Sequence, residues 1–435
     1  MIKNYLNLKN LNLINLCTIL VVLIPPALVS GPFIPDFFLT ISCILFLYLC
    51  LKQKKLIYFK TKFFKFFLIF WLYLILNSFF SDNILHSLKI SLFYIRFGIL
   101  CILINFLIDN KKNFISIFFY TLLFTFIFIS FDAYIQFFFE RNLFGMVPLD
   151  YPRISGLFGE ELILGSYLSR ILPLIIGIFF LKKINIKIIL AFIIFIEILI
   201  FISGERTALG LVGLSTILFI LFIRGFKFLR IISLIIVFIF SSLILFQFTE
   251  TKNRIINHTF MELGLSSNKQ VQINFEGVEP IYKEYYIFSP KHQSLILTSI
   301  NMFKDKYILG HGIRSFKYKC SDPKYEFNRY SCASHPHNVL SQILSEIGLI
   351  GSLFYLLVFF YLLYFLYIQI FSKTEDKNIS FQNYKVCLII CIILSIWPLY
   401  PSGNIFNNWL SIIFYLPVGF YLNSIKYTGN EYYSR

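Results

Sequence analysis

Apolar positions in this chain fall in long unbroken blocks, not in the alternation of a half-buried strand or the one-sided stripe of a soluble helix. Twelve blocks can be drawn, at 11–29, 34–51, 63–80, 89–108, 114–138, 162–181, 188–203, 207–223, 231–248, 347–371, 384–400 and 408–425. Most approach the length of about 20 residues that a helix needs to cross a bilayer. The pattern predicts an all-α polytopic membrane protein with about twelve transmembrane helices. No internal repeat is visible, so the inverted-repeat signature of many transporters is missing. The interval from Thr249 to Glu346 is far longer than an ordinary connection. It is polar and carries helix-like pieces such as "SLILTSINMFKDKY" (294–307). It is expected to form a cap between spans 9 and 10. The chain then divides into an N-terminal membrane bundle (1–248, about nine spans), the cap (249–346) and a C-terminal membrane bundle (347–435, about three spans).

Composition agrees with that class. Of 435 residues, 58% are hydrophobic and 14% charged, against about 45–50% and about 25% in soluble domains. A net charge of +17 would raise nucleic acid as a partner, but the placement of the charges argues otherwise. The clusters "KQKKLIYFKTK" (52–62), "DNKKN" (109–113), "LKKINIK" (181–187), "RGFKFLR" (224–230) and "SKTEDKN" (372–378) fall at every second connection. That is the positive-inside pattern, so these connections read as cytoplasmic. Both termini then also face the cytoplasm, with Lys3 and Lys9 at one end and Lys426 and Arg435 at the other. The exoplasmic loops become 30–33, 81–88, 139–161, 203–207, 249–346 and 401–407. "ALVSG" after the first block offers a signal-peptide reading, but the run 11–29 exceeds a usual h-region, which favours a retained first span. Cys17, Cys43, Cys50, Cys101, Cys387 and Cys391 lie in or beside apolar blocks, where packing explains them. Cys320 and Cys332 lie in the cap and are expected to pair if it is exoplasmic. Zinc would ask for Cys-x-x-Cys or paired-His spacing, which does not accompany them.

The most polar cluster beside an apolar block is "HPHNVLSQILSEIGLIG" (335–351). Ser334 suits a helix N-cap and Pro336 its first turn. The polar pairs His337–Asn338, Ser341–Gln342 and Ser345–Glu346 recur every four residues, giving one polar stripe and one apolar face. Gly348 and Gly351 would let another backbone approach closely. A capped interfacial helix accounts for the amphipathicity but not for two histidines at its start. A histidine near pKa 6.5 suits a general base, and a helix N-terminus disfavours its imidazolium. His337 is therefore the candidate base. His335 is either a second participant or a structural hydrogen bond.

Several cations accompany it on the same face. Arg206, in "ISGERTALG" (202–210), must sit at the membrane surface because the turn there is tight. It reads as a guanidinium fork for phosphate or as a snorkelling side chain. Arg153 precedes the glycine turn of "DYPRISGLFGEELILGSYL" (150–168). Glu160 and Glu161 there have a structural reading, at the positive end of the following helix. Arg254 stands at a membrane boundary in "TKNRIINH" (251–258). Lys89 and Arg96, further candidates for holding a diphosphate, lie in "HSLKISLFYIRFGIL" (86–100), where Lys89 could instead snorkel and Arg96 is deep enough to need the bundle interior or a cavity. His311 and Arg314 occupy the "GHGIRSF" turn, which is either a folding turn of the cap or a direct contact. No acidic cluster has metal-ligand spacing on this face. An electropositive exoplasmic pocket beside a base suits an anionic lipid-linked group, above all a pyrophosphate.

The motif set resembles the bacterial O-antigen ligase and polymerase family. His337 and Asn338 followed by Gly348 and Gly351 look like its ligase signature. "SHP" (334–336) and "GHGIRSF" are similar to its shared C-terminal module. Ser203, Arg206 and Thr207 match a Ser-x-x-Arg-Thr segment; Arg153, Gly156 and Phe158 match an Arg-x-x-Gly-x-Phe segment, with Glu161 where Asn is common. The span count and the long loop between spans 9 and 10 also match. The resemblance implies a glycosyltransferase taking a glycan from undecaprenyl diphosphate at the periplasmic face of the inner membrane. Lipid A–core is the acceptor for a ligase and another lipid-linked repeat unit for a polymerase. No cofactor, metal or nucleotide sugar is expected. His337 would be the base, with Arg206, Arg153 and Arg254 holding the diphosphate. The intact His-Asn…Gly-x-x-Gly spacing favours ligase. Transfer to protein hydroxyls shares the module. A flippase would instead string charges through the membrane depth, and a non-catalytic scaffold would tolerate His337→Ala.

Overall fold

The computed structural model of the protein describes residues 2–263, 265, 286–371 and 378–427, with only the backbone described for residues 2–11. Part of the predicted cap, almost all of the 372–378 connection, Arg435 and the side chains of Lys3 and Lys9 lie outside the described residues. Among the described residues the fold is helical without a strand; an isolated bridge joins Asn338 to Pro401.

A helix stands at each of the twelve apolar blocks: Ile2–Val22, Phe33–Gln53, Lys62–Phe79, Ile84–Asn110, Phe114–Phe139, Leu164–Leu181, Ile186–Ile202, Arg206–Phe222, Lys227–Gln247, Val339–Phe371, Ile379–Ser395 and Asn408–Ser424. Seven of the described helices are long and apolar enough to cross a membrane by length and composition. The chain is thus a multi-pass membrane protein, helical throughout its described secondary structure. Short polar side chains start several helices by accepting from orphan backbone N–H groups. Thr61 takes that of Phe64, Asn83 that of His86, Asn185 that of Lys187 and Asn407 that of Trp409.

The Leu164–Leu181 helix lies at the centre, with 94% of its apolar window buried, whereas Lys227–Gln247, at 17%, is peripheral. Small residues set the closest approaches. A Cβ on Gly177 would come within 2.9 Å of Cys387, and one on Gly419 within 2.7 Å of Ile104. These contacts lock Leu164–Leu181 to Ile379–Ser395, and Asn408–Ser424 to Ile84–Asn110. The six cysteines outside the cap are buried and free, as packing predicts.

The cap is built on the Pro290–Asp305 helix, with a small core of Leu295, Met302, Phe316, Cys320 and Tyr325. Cys320 and Cys332 form the expected disulfide. The cap is fastened to the bundle by backbone as much as by side chains. His311 and Gly312 donate their N–H groups to the carbonyls of Ser345 and Glu346. This close crossing requires glycine: a Cβ on Gly310 would lie 2.6 Å from the Glu346 carbonyl carbon. Gly348 (φ 63°, ψ −165°) breaks the Val339–Phe371 helix and packs against Ile308 and Leu309. The predicted close backbone approach is therefore real at Gly348. Gly351 differs, since a Cβ there would meet the side chain of Ile347.

Two local expectations are corrected. The helix does not start at Ser334 and Pro336. It starts at Val339, where the Asn338 side chain accepts from the N–H of Ser341 at 2.9 Å. The cause is His337, whose φ of +55° keeps the preceding chain out of the helix. The second correction concerns Glu160 and Glu161, which are exposed and precede the Leu164–Leu181 helix without capping it. That end is capped from another segment: Glu205 accepts from the N–H groups of Gly165 at 2.6 Å and Ser166 at 3.1 Å.

Candidate active site

The segment ahead of Val339 is pinned against 398–402. Asn338 Nδ2 donates to the Pro398 carbonyl at 2.7 Å, and the Ser402 N–H donates to the His337 carbonyl at 2.8 Å. The two histidines on this segment are then held differently. His335 Nε2 lies 3.2 Å from the Ser402 carbonyl and Nδ1 lies 2.9 Å from Ser334 Oγ. A carbonyl only accepts, so Nε2 carries the proton and Nδ1 accepts from the hydroxyl. Both ring nitrogens of His335 are thereby occupied. Neither ring nitrogen of His337 makes a hydrogen bond with a described residue, although its ring centroid is 4.0 Å from that of His335.

A third histidine completes the cluster. His292, in the first turn of the cap helix, sits with its ring centroid 5.7 Å from that of His337. Its Nδ1 lies 2.7 Å from Ser289 Oγ, which leaves Nε2 for other use. Burial is the main reason that all three are poor proton acceptors in isolation. It pushes His335 down to about 3, helped by His337. His337 is pushed down to about 4, by burial first and then by His292 and Lys291. His292 falls to about 4, by burial and then by Arg206. All three are neutral at neutral pH. The neutral form of His337, expected from the field of a helix end, owes more to burial and to the nearby charge of Lys291.

Arg206, Arg153 and Arg254 come together around the turn that precedes the Arg206–Phe222 helix. Gly204 (φ +70°) makes room: a Cβ there would lie 3.3 Å from Arg153 Cγ and 3.5 Å from Arg254 Cγ. Glu205 points inward to its capping bonds, which turns the following Arg206 toward this cluster. Arg206 pairs with Glu262 at 2.7 Å. Arg153 donates to the Leu162 carbonyl at 3.1 Å and lies 3.7 Å from Asp150. The Nε atoms of Arg153 and Arg254 are buried without a partner. Burial lowers the pKa of Arg254, and the adjacent charges of Arg153 and Arg206 lower it further. Like charges held side by side with unfilled donors favour an incoming anion. Arg206 is also the leading charge acting on His292, which links the arginine cluster to the histidines electrostatically.

The remaining candidates fall elsewhere. His311 is fully buried, bonded through Nδ1 to Asp82 at 2.8 Å and through Nε2 to the Met302 carbonyl at 3.0 Å. It fastens the cap instead of facing the site. Arg96, Lys89 and Arg314 line a different cavity of about 400 Å³, together with Asp36 and His86; none of Arg153, Arg206 and Arg254 lines it. Arg96 is held there by Asp36 at 2.7 Å and Asn408 at 2.9 Å. Sequence reasoning missed His292, a lone histidine in a long polar segment, and Glu205, hidden beside the more conspicuous Arg206. Among the described residues no group of three or more His, Cys, Asp and Glu is placed to hold a metal ion.

Residues 189–356 match the family model described as O-Antigen ligase. The match covers this segment, which is under half of the chain. A search of curated proteins finds no match. The family segment contains Arg206, Arg254, His292, His335, His337 and the disulfide, whereas Arg153 and the second cavity's Lys89 and Arg96 precede it. The match supports glycan transfer of ligase or polymerase type.

Proposed function

We propose that the protein is an inner-membrane glycosyltransferase that moves an O-antigen-type glycan from undecaprenyl diphosphate to an acceptor hydroxyl at the periplasmic face. It acts as a ligase with lipid A–core as acceptor. Twelve spans with both termini cytoplasmic would put the histidines and the arginine cluster on that face, as the charge pattern of the connections asks. The observation that carries the reading is His337, a neutral histidine with both ring nitrogens free among the described residues, packed on His292, on which Arg206 of the arginine cluster acts.

The chemistry follows from that arrangement. Arg206, Arg254 and Arg153 hold the diphosphate of the donor. A free ring nitrogen of His337 takes the proton of the acceptor hydroxyl as its oxygen attacks the anomeric carbon. The bond from that carbon to the diphosphate oxygen breaks with inversion, and undecaprenyl diphosphate leaves with the electron pair. Its growing charge is stabilised by guanidiniums already in place. The leaving group is good, so positioning, charge stabilisation and one proton transfer suffice without a cofactor or metal. His335 orients the segment that carries His337, and His292 stands on its other side.

Deleting the gene and inspecting the lipopolysaccharide tests the reading. Lost O-chains with accumulated lipid-linked polymer support the ligase. A core bearing a single repeat makes the protein a polymerase instead. An unchanged glycan profile contradicts both.

A further inference from the structure

Two polar side chains lie fully buried four residues apart on one face of the apolar Phe114–Phe139 helix, Asp132 and Gln136. Neither takes part in the chemistry above. Buried polar groups in such a helix are costly unless their hydrogen bonds are met. Here they are met by the backbone of one loop, 142–156, which carries Arg153. Gln136 Oε1 accepts from the N–H groups of Ser155 at 3.0 Å and Gly156 at 2.7 Å, and its Nε2 donates to the Met146 carbonyl at 3.3 Å. Backbone N–H groups only donate and a carbonyl only accepts, so the amide has one orientation. Asp132 Oδ1 accepts from the Leu143 N–H at 3.0 Å. Asn142 ties the two arms of the loop together. It accepts from the N–H groups of Phe144 at 3.0 Å and Met146 at 2.8 Å, and donates to the Gly156 carbonyl at 3.3 Å.

The bracing falls on the backbone that places a member of the arginine cluster. Ser155 and Gly156 are the second and third residues after Arg153. Between them and Arg153, Ile154 donates its N–H to the Ser203 carbonyl at 3.3 Å, in the turn that leads to Arg206. Gly156, at φ +54°, lets the loop pass close to the helix: a Cβ there would lie 3.2 Å from Asp132 Oδ2. The Arg153 side chain itself has only the Leu162 carbonyl at 3.1 Å and Asp150 at 3.7 Å. Its place beside Gly204 is therefore set by the backbone from which it projects. Removing the Gln136 oxygen would free two consecutive N–H groups at once and let this segment shift. A group that holds a ligand tolerates a displacement of about 0.5 Å, and a misplacement of about 1 Å can cost about 10²-fold.

We propose that Gln136 is a positioning residue for the donor site: its amide fixes the backbone of Ser155 and Gly156 and thereby the reach of Arg153 toward the diphosphate. That the ligand is a diphosphate rests on the function proposed above. The bracing of the Arg153 segment by Gln136 does not. Gln136 touches no substrate and acts only through the arginine.

Binding of geranylgeranyl diphosphate, a short polyprenyl diphosphate, to the purified full-length protein in neutral detergent tests this, with transfer kinetics measured alongside. Gln136→Leu nearly keeps the volume and removes both hydrogen-bonding ends of the side chain. It should weaken binding about tenfold and raise donor KM by a similar factor, with acceptor KM unchanged. Gln136→Glu leaves an oxygen opposite the two N–H groups and should stay within about threefold of wild type. Because the effect runs through Arg153, Gln136→Leu should cost nothing further in an Arg153→Ala background. If the leucine variant is not recovered folded, Gln136→Asn, which draws the amide back by one methylene, carries the same comparison. Wild-type binding by the folded Gln136 variant, beside a loss in Arg153→Ala, overturns the proposal and leaves the donor site intact. An equal further loss in the Arg153→Ala background overturns it too, because Gln136 would then support the fold and not the arginine. So do equal losses in Gln136→Leu and Gln136→Glu. Wild-type binding by Arg153→Ala would remove Arg153 from the donor site, and the proposal with it. The expected binding pattern without any transfer by the wild type would sink the transferase reading alone.

Discussion

The acid limb of the pH–rate profile is the most discriminating consequence of a buried base. An ordinary histidine has a pKa near 6.5, so at pH 5.5 only about 9% of it would be the neutral base. His337 is pushed down to about 4, so about 97% would still be neutral at that pH by the same relation. The expectation is that kcat/KM for donor, which reports the free enzyme, changes little from pH 7.5 to 5.5 and falls only on approach to pH 4. In the ternary complex the donor diphosphate favours the imidazolium, so the acid limb of kcat should lie at higher pH than that of kcat/KM. His292→Gln removes a neighbour that gains its charge in the same acid range as His337 and opposes protonation there. It should move the kcat/KM limb upward, short of 6.5 because burial, the larger cause, stays. The assay is transfer by the purified enzyme from a short-chain lipid-diphosphate glycan at subsaturating donor. A limb of unit slope centred near 6.5 in wild type would refute a buried base. Folding must be checked along the same series. A histidine whose folded pKa is depressed contributes stability present above its unfolded value of about 6.5 and lost as pH falls toward about 4. For one such histidine the loss reaches about 3 kcal/mol, and for this coupled trio the losses do not add.

Three further outcomes follow from the geometry. The Cys320–Cys332 bridge, with a sequence separation of 12, should stabilise the cap by about 3 kcal/mol; Cys320→Ser/Cys332→Ser should speed proteolysis within 321–331, and unchanged protection with and without reductant would contradict this. Gly348→Ala places a side chain at φ 63° against the Ile308–Leu309 backbone, so its Tm should fall and little active protein should be recovered; a Tm equal to wild type would show that the break in the helix is dispensable. His335→Ala should lower kcat with little change in donor KM, and His335→Asn, which restores a donor to the Ser402 carbonyl, should recover part of it; no difference between the two would remove the positioning role.

The helices were legible because apolar length needs no tertiary information: every block became a helix, and only its ends moved. Arg206, Arg153 and Arg254 were legible as separate cations, each costly at a membrane surface, and the fold brings them to one turn. The Cys320–Cys332 pair was legible from its place in the one long polar segment. What failed was the choice between chemically equal candidates. Ser334 and Asn338 both suit an N-cap, and the left-handed backbone at His337 decides for Asn338. Glu160, Glu161 and Glu205 are all acids near a helix start, yet the one that caps comes from across the turn. Lys89 and Arg96 share their charge with the arginine cluster but open onto another cavity. His292 reaches His337 only through the docking of the cap, which no local pattern reports.

The central claim is that His337 removes the proton from the acceptor at a donor held by the arginine cluster. Single-turnover transfer by purified, folded wild type and His337→Ala, with donor binding measured in parallel, tests it most directly. The account predicts that His337→Ala still binds donor and transfers about 10²–10⁴ times more slowly. Transfer by His337→Ala at the wild-type rate would contradict it.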